Sequence, residues 1–212
     1  MADREVLVQA ANILMACRKN PNKHGFELID SKTELALMKA IEDNGFFESR
    51  DICETSSLVL QPIPYVLIFG PNNTIFSYLR GENIQHYGEA RLFGKHSIGL
   101  GGHITKDDAP DYIKKCIERE VMQEEAILLG ACLKPILIGT LMADDKPVDT
   151  VHFGLIYKIH TNAMVKPNES SIASGRMIPI KEIMSNPNRN QMYETWSRIL
   201  IGHLPAIQNF NP

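Results

Sequence analysis

The chain has 212 residues, 44% of them hydrophobic and 22% charged, with a formal net charge of −3, enough for one sizeable core of ordinary globular composition. Slight acidity excludes the basic footprint of a protein that wraps nucleic acid, and no apolar run approaches the ~18 residues of a membrane span. Four scattered cysteines, Cys17, Cys53, Cys116 and Cys132, show no CxxC spacing and read as reduced core residues, which excludes a disulfide scaffold.

The start of the chain lacks the charged-then-apolar layout of a signal peptide, so the expected location is cytoplasmic. Residues 6–17 place Leu7, Ala10, Ile13, Leu14 and Cys17 at helical spacing and predict a helix. A polar break over 18–24 follows. A second helix is expected over 31–41, where Ser31 and Glu34 suit a capping box, and Asn44-Gly45 ends it. The expected organisation is therefore an N-terminal helical extension over 1–57 and a main domain over 58–212. Strands then take over. Residues 65–69 and 74–79 flank the turn residues 70–73 and predict a hairpin. Residues 97–100 suit a short strand running into Gly101-Gly102, and Pro110 suits the start of the next helix. Strands are expected over 133–141, 150–160 and 177–180, with a turn over 143–147 and a helix from about Pro179. A closing helix over 191–203 carries Trp196 and Tyr193 among apolar neighbours, the pattern of core residues.

Chemistry concentrates after Gly101-Gly102-His103. On a wheel of about 100° per residue, Ile113, Cys116 and Ile117 form one apolar stripe, and Glu120, Glu124 and Gln123 fall on the same side. Glu125 falls on the far side unless the helix bulges. A solvated surface run would not share its stripe with Ile113 and Ile117. Inward carboxylates are costly unless paired or bound to a cation. Oxygen donors suit Mg²⁺ or Mn²⁺, the partners of phosphate substrates.

At these residues the chain resembles the Nudix hydrolases, whose signature reads G-x5-E-x7-R-E-U-x-E-E-x-G-U, with U a bulky aliphatic residue. Arg119, Glu120, Val121, Met122, Gln123, Glu124, Glu125, Ala126 and Ile127 match its second half. Counting back from Arg119 puts Asp111 at the upstream acid, and counting forward from Gly102 puts Asp108 there, so the loop is three residues longer than the signature. The box also departs in having Asp for the upstream Glu, Gln123 for the first Glu of the pair, and Ala126 for Gly. The segments around Ile63-Pro64-Tyr65, Ser77-Tyr78-Leu79-Arg80, Gly88-Glu89-Ala90-Arg91-Leu92, Ser97-Ile98-Gly99-Leu100 and Glu194-Thr195-Trp196-Ser197 resemble a Nudix subgroup of predicted phosphoesterases.

The resemblance implies an α/β/α sandwich with a mixed sheet, and hydrolysis of a phosphoanhydride in a nucleoside diphosphate-linked or related pyrophosphate substrate. It assigns Mg²⁺ or Mn²⁺ to Glu120, Glu124, Gln123 and the Gly102 carbonyl, and makes Arg119 the residue that fixes a glutamate. Gln123 keeps an oxygen but loses a charge, which weakens a cation site. The alternative is thus a nucleotide-binding module with reduced turnover. Isomerisation of a prenyl diphosphate on the same fold needs a pocket cysteine, and Cys116 lies on the core stripe. Arg80, Arg91, Lys95 and His103 are candidates for holding phosphates or moving protons. His152 and His160 share a strand face opposite Phe153 and Ile159 and are expected to face solvent or a neighbour, not a metal. The resemblance also makes a homodimer an expectation; no nucleic-acid or membrane partner is expected.

Overall fold

The computed structural model describes residues 5–81, 94–124, 126–128, 134–145, 147–167 and 172–210. Arg91, Glu125 and Cys132 lie outside these residues, as do the segment around Gly88 and the side chains of Gln123, Glu124 and Ala126.

The front of the chain runs β1 (Glu5–Ala10), α1 (Ala11–Ala16), β2 (Gly25–Leu28), α2 (Ser31–Asn44), β3 (Phe46–Ser49) and α3 (Arg50–Cys53). It is helical only in part. The expected helix over 6–17 is a strand followed by a short helix, and β1 pairs with β3 and with the next strand, joining the front segment to the sheet. Four successive residues of β1, Val6 to Gln9, are buried. A strand covered on both faces has no polar alternation to reveal it, so its apolar run can be read as a helix stripe. The cap of α2 also differs from expectation: the Asp30 side chain accepts from the Thr33 amide at 2.8 Å, one residue ahead of Ser31.

β4 (Val59–Gly70) and β5 (Thr74–Arg80) form the expected hairpin, with Asn72 and Asn73 at φ 56° in the turn. β6 (His96–Ser97) and β7 (Gly99–Gly101) follow, then α4 (Tyr112–Glu118), which passes without a break into a π-helical turn over Arg119–Glu124. β8 (Ala126–Leu128), β9 (Ile136–Met142), β10 (His152–His160), β11 (Val165–Pro167) and β12 (Ile172–Pro179) complete the strands. The expected closing helix over 191–203 is two, α6 (Arg189–Met192) and α7 (Thr195–Ile201), followed by α8 (Leu204–Asn209) and preceded by α5 (Ile180–Ser185). It breaks at Tyr193-Glu194 because the Glu194 carboxylate caps α7, accepting from the Trp196 and Ser197 amides.

The main sheet runs β12-β5-β4-β10-β9-β2, with β4 and β10 parallel and the other pairs antiparallel; β8 and β11 form a separate pair. Alternate residues of β4 feed two cores. Val66 and Ile68 pack with Leu37, Ile41, Cys116 and Ile117 from α2 and α4. Tyr65, Leu67 and Phe69 pack with Ile183, Trp196 and Leu200 from α5 and α7. A mixed sheet between helical layers is the architecture expected. Trp196 and Tyr193 are core residues, and Cys53 and Cys116 are buried free thiols. Among the described residues, no helix is long and apolar enough to cross a membrane.

Candidate functional site

The site is assembled where β7 delivers its glycines beside α4. β7 pairs with the middle of β4, setting Gly101 opposite Tyr65. The strands approach so closely that a Cβ on Gly101 would lie 2.0 Å from the Pro64 carbonyl oxygen, which only glycine avoids. A buried polar hub fixes this strand. The Tyr65 hydroxyl meets Ser97 Oγ at 2.8 Å and Ser197 Oγ at 3.0 Å, and donates to Glu194 Oε1 at 2.7 Å. Ser197 Oγ accepts from the Ile98 amide at 2.9 Å. Burial, reinforced by the Glu194 charge, holds the Tyr65 phenol well above its ordinary pKa, so it stays a donor.

After Gly101 the chain passes through Gly102 and His103 to a 3₁₀ turn, Lys106–Asp108. Here Asp108 accepts from the Thr105 amide at 2.8 Å. The same carboxylate takes two bonds from Arg119, Nε to Oδ1 and Nη2 to Oδ2, each 2.9 Å. Arg119 also donates from Nη2 to the His103 carbonyl at 2.9 Å and from Nη1 to Glu120 Oε1 at 2.5 Å. One guanidinium thus ties together the loop, its acid and the helix. Burial opposes the charge on Arg119, but Asp108 and Glu120 outweigh it and hold its pKa above the ordinary value. Burial pushes the Asp108 carboxyl up, but bonds from Arg119 and Thr105 overcome this and leave it below the usual range.

The stripe read from the sequence is present as far as Glu120. Cys116 and Ile117 are buried, Ile113 is half-buried, and Glu120 is only 7% exposed. The Glu120 carboxylate lies against the backbone of Gly102: a Cβ there would sit 2.3 Å from Oε1. Of the two upstream candidates, Asp108 is the inward one, 3% exposed, whereas Asp111 is exposed at the start of α4.

No family model matches the chain. Protein YmaB of Bacillus subtilis (strain 168) is 28% identical over 147 residues, covering 66% of this chain and 69% of that protein. Tm1382, a candidate Nudix hydrolase, superposes with a TM-score of 0.74 at 21% identity, covering 96% of this chain and 99% of that one. The chain has the Nudix fold. The NUDIX domain of Shewanella oneidensis NrtR, solved in complex with ADP ribose, gives a TM-score of 0.51 at 10% identity, covering 71% of this chain and 89% of that one.

Within this Nudix fold, the box region carries the one helical irregularity that bears on the wheel. From Arg119 the helix is π-helical, so the 100° spacing does not carry through Gln123 and Glu124. Of the other candidates, Arg91 lies outside the described residues. Arg80 ends β5 with its guanidinium 5.7 Å from the Tyr78 ring centroid. Lys95 donates to the Gln191 carbonyl at 2.6 Å, tying β6 to α6. His103, by contrast, adjoins Gly102 and meets His152, Nε2 to Nε2 at 3.1 Å. His152 faces a neighbour, one of the two outcomes expected, rather than solvent. Its neighbour is a histidine of the glycine loop, and it is 7% exposed. His160 is exposed and stacks on Phe69 with centroids 5.4 Å apart. Sequence reasoning missed the His103–His152 pair because the partners are 49 residues apart and meet only through the register of β10 on β4.

Proposed function

We propose that this protein is a metal-dependent hydrolase that cleaves a phosphoanhydride bond in a nucleoside diphosphate-linked or related pyrophosphate substrate. The observation that carries this reading is the buried Glu120 carboxylate, pressed on Gly102 and held by an Arg119 that is itself anchored on Asp108. The donors fit Mg²⁺ or Mn²⁺: the Glu120 carboxylate and the adjoining Gly102 backbone are hard oxygen ligands. By the same reading Gln123 and Glu124, on the following turn, complete the set. A bound divalent ion supplies charge neutralisation at the phosphate oxygens and activates water. The protein's own part is positional. Arg119 fixes the rotamer of Glu120, Asp108 fixes Arg119, and the Arg119 bond to the His103 carbonyl keeps the glycine turn at a set distance from the helix. Arg80, Arg91, Lys95 and His103 remain candidates for contacts with the substrate phosphates.

The test is a screen of nucleotide sugars, dinucleotides and nucleoside triphosphates with Mg²⁺ and with Mn²⁺, reading products by mass. The reading requires turnover that falls by roughly 100-fold or more in Glu120→Gln and in Glu124→Gln. Equal turnover in parent and variants would overturn it. One feature supports a second reading, a nucleotide-binding module with little turnover: Gln123 stands where the signature has a ligand glutamate. Nucleotide binding without product, together with turnover gained in Gln123→Glu, is its signature.

A further inference from the structure

We propose that Glu54, His103 and His152 form a transition-metal site separate from the carboxylates of the box. Their ligand atoms all lie within 4.8 Å of one another. The two Nε2 atoms, 3.1 Å apart, already have the spacing of neighbouring donors on one ion, about 3 to 3.5 Å for bonds of about 2.1 Å. The Glu54 carboxylate lies within the same 4.8 Å set, so three donors from separate segments converge on one place. Between two imidazole nitrogens a single proton serves two lone pairs; a cation there satisfies both, and an adjacent carboxylate offsets its charge.

The surroundings hold these donors in place. Arg50 Nε donates to Glu54 Oε1 at 3.1 Å, and Arg119 Nη2 donates to the His103 carbonyl at 2.9 Å. The first bond orients a ligand group and the second fixes the backbone of the loop that carries His103. Two imidazoles and a carboxylate suit Zn²⁺, Co²⁺ or Mn²⁺ and not Mg²⁺, and three protein ligands leave a position for water or a phosphate oxygen. The three residues come from the end of α3, the glycine loop and the start of β10. A bound ion would therefore cross-link the front segment to the loop that carries Gly102.

The experiment is calorimetric titration of the full chain with Zn²⁺ alone in excess Mg²⁺, repeated with Co²⁺ to read visible ligand-field bands. We expect one Zn²⁺ per chain, undisplaced by Mg²⁺, with affinity reduced at least about tenfold in Glu54→Gln and in His103→Asn and unchanged in Glu120→Gln. Glu54 is partly exposed, so Glu54→Gln keeps the fold and decides the matter should His103→Asn not fold. No Zn²⁺ binding, binding indifferent to Glu54→Gln, or binding lost only in Glu120→Gln would overturn the site. Those outcomes leave the proposed hydrolase reading intact, since it rests on Glu120 and is read by Mg²⁺-dependent product formation.

Discussion

At the scale of single residues, Gly102 and Asp108 set the geometry that the proposed chemistry needs. Gly102 leaves room for the Glu120 carboxylate, and a methyl group there would lie 2.3 Å from Oε1. Gly102→Ala should therefore push the carboxylate off Arg119. We expect turnover to fall by about 10- to 100-fold in a steady-state assay and the melting temperature to fall by a few degrees, since a buried pair is broken. Asp108 is the second. Asp108→Asn removes the charge-assisted pair with Arg119 and should cost about 2 kcal/mol by urea denaturation. The same group makes a pH prediction. Its folded pKa is depressed, so the stability it contributes is complete above the unfolded value of about 3.8. That stability is lost as the pH falls through the lower folded value. The stability gap between parent and Asp108→Asn should therefore be constant above about pH 4 and close as the pH falls below it. The sequence alone left Asp108 and Asp111 as equal candidates, because both counts fit the signature. Burial separates them, and burial is a property of the folded loop.

Among the elements, the hub of Tyr65, Ser97, Glu194 and Ser197 explains segments of the chain that the box does not. It joins β4, β6 and α7, so the glycine strand is fixed by groups remote from it in sequence. Glu194→Ala removes the cap of α7 and a hub acceptor together and should cost about 2 kcal/mol. Tyr65→Phe removes only the hydroxyl and should cost about 1 kcal/mol. Chemical denaturation of the two variants checks the order. The hairpin of β4 and β5 was legible because its turn residues interrupt two β-rich runs. β1 was not, since a strand buried on both faces carries no alternation. The closing helix was legible as helical but not as two pieces, because its break depends on the Glu194 side chain turning back onto its own backbone. The π turn after Glu118 was hidden for a related reason: a wheel presumes one spacing throughout.

Over the whole molecule, the two cores on either side of the sheet make α8 the outermost part that still matters to the centre. Lys158 of β10, 2% exposed, reaches the carbonyls of Ile207 at 3.3 Å and Phe210 at 2.5 Å. Burial lowers its pKa, yet the two carbonyls hold it at the end of α8, where a cation is favoured. Lys158→Met should leave those carbonyls without their donor and lower the melting temperature by about 2 to 4 °C in a thermal scan. The sequence by itself determined the order of the hairpin, the glycine turn and the helix that follows, and it placed Glu120 on the core stripe of that helix. Local periodicity and turn chemistry act over a few residues, so they can be read along the chain. Only the tertiary structure decided that Asp108 anchors Arg119, that β1 and β2 are built into the sheet, and that Glu54, His103 and His152 converge. Those contacts depend on strand register and on which faces are covered, and both are fixed only when distant segments pack.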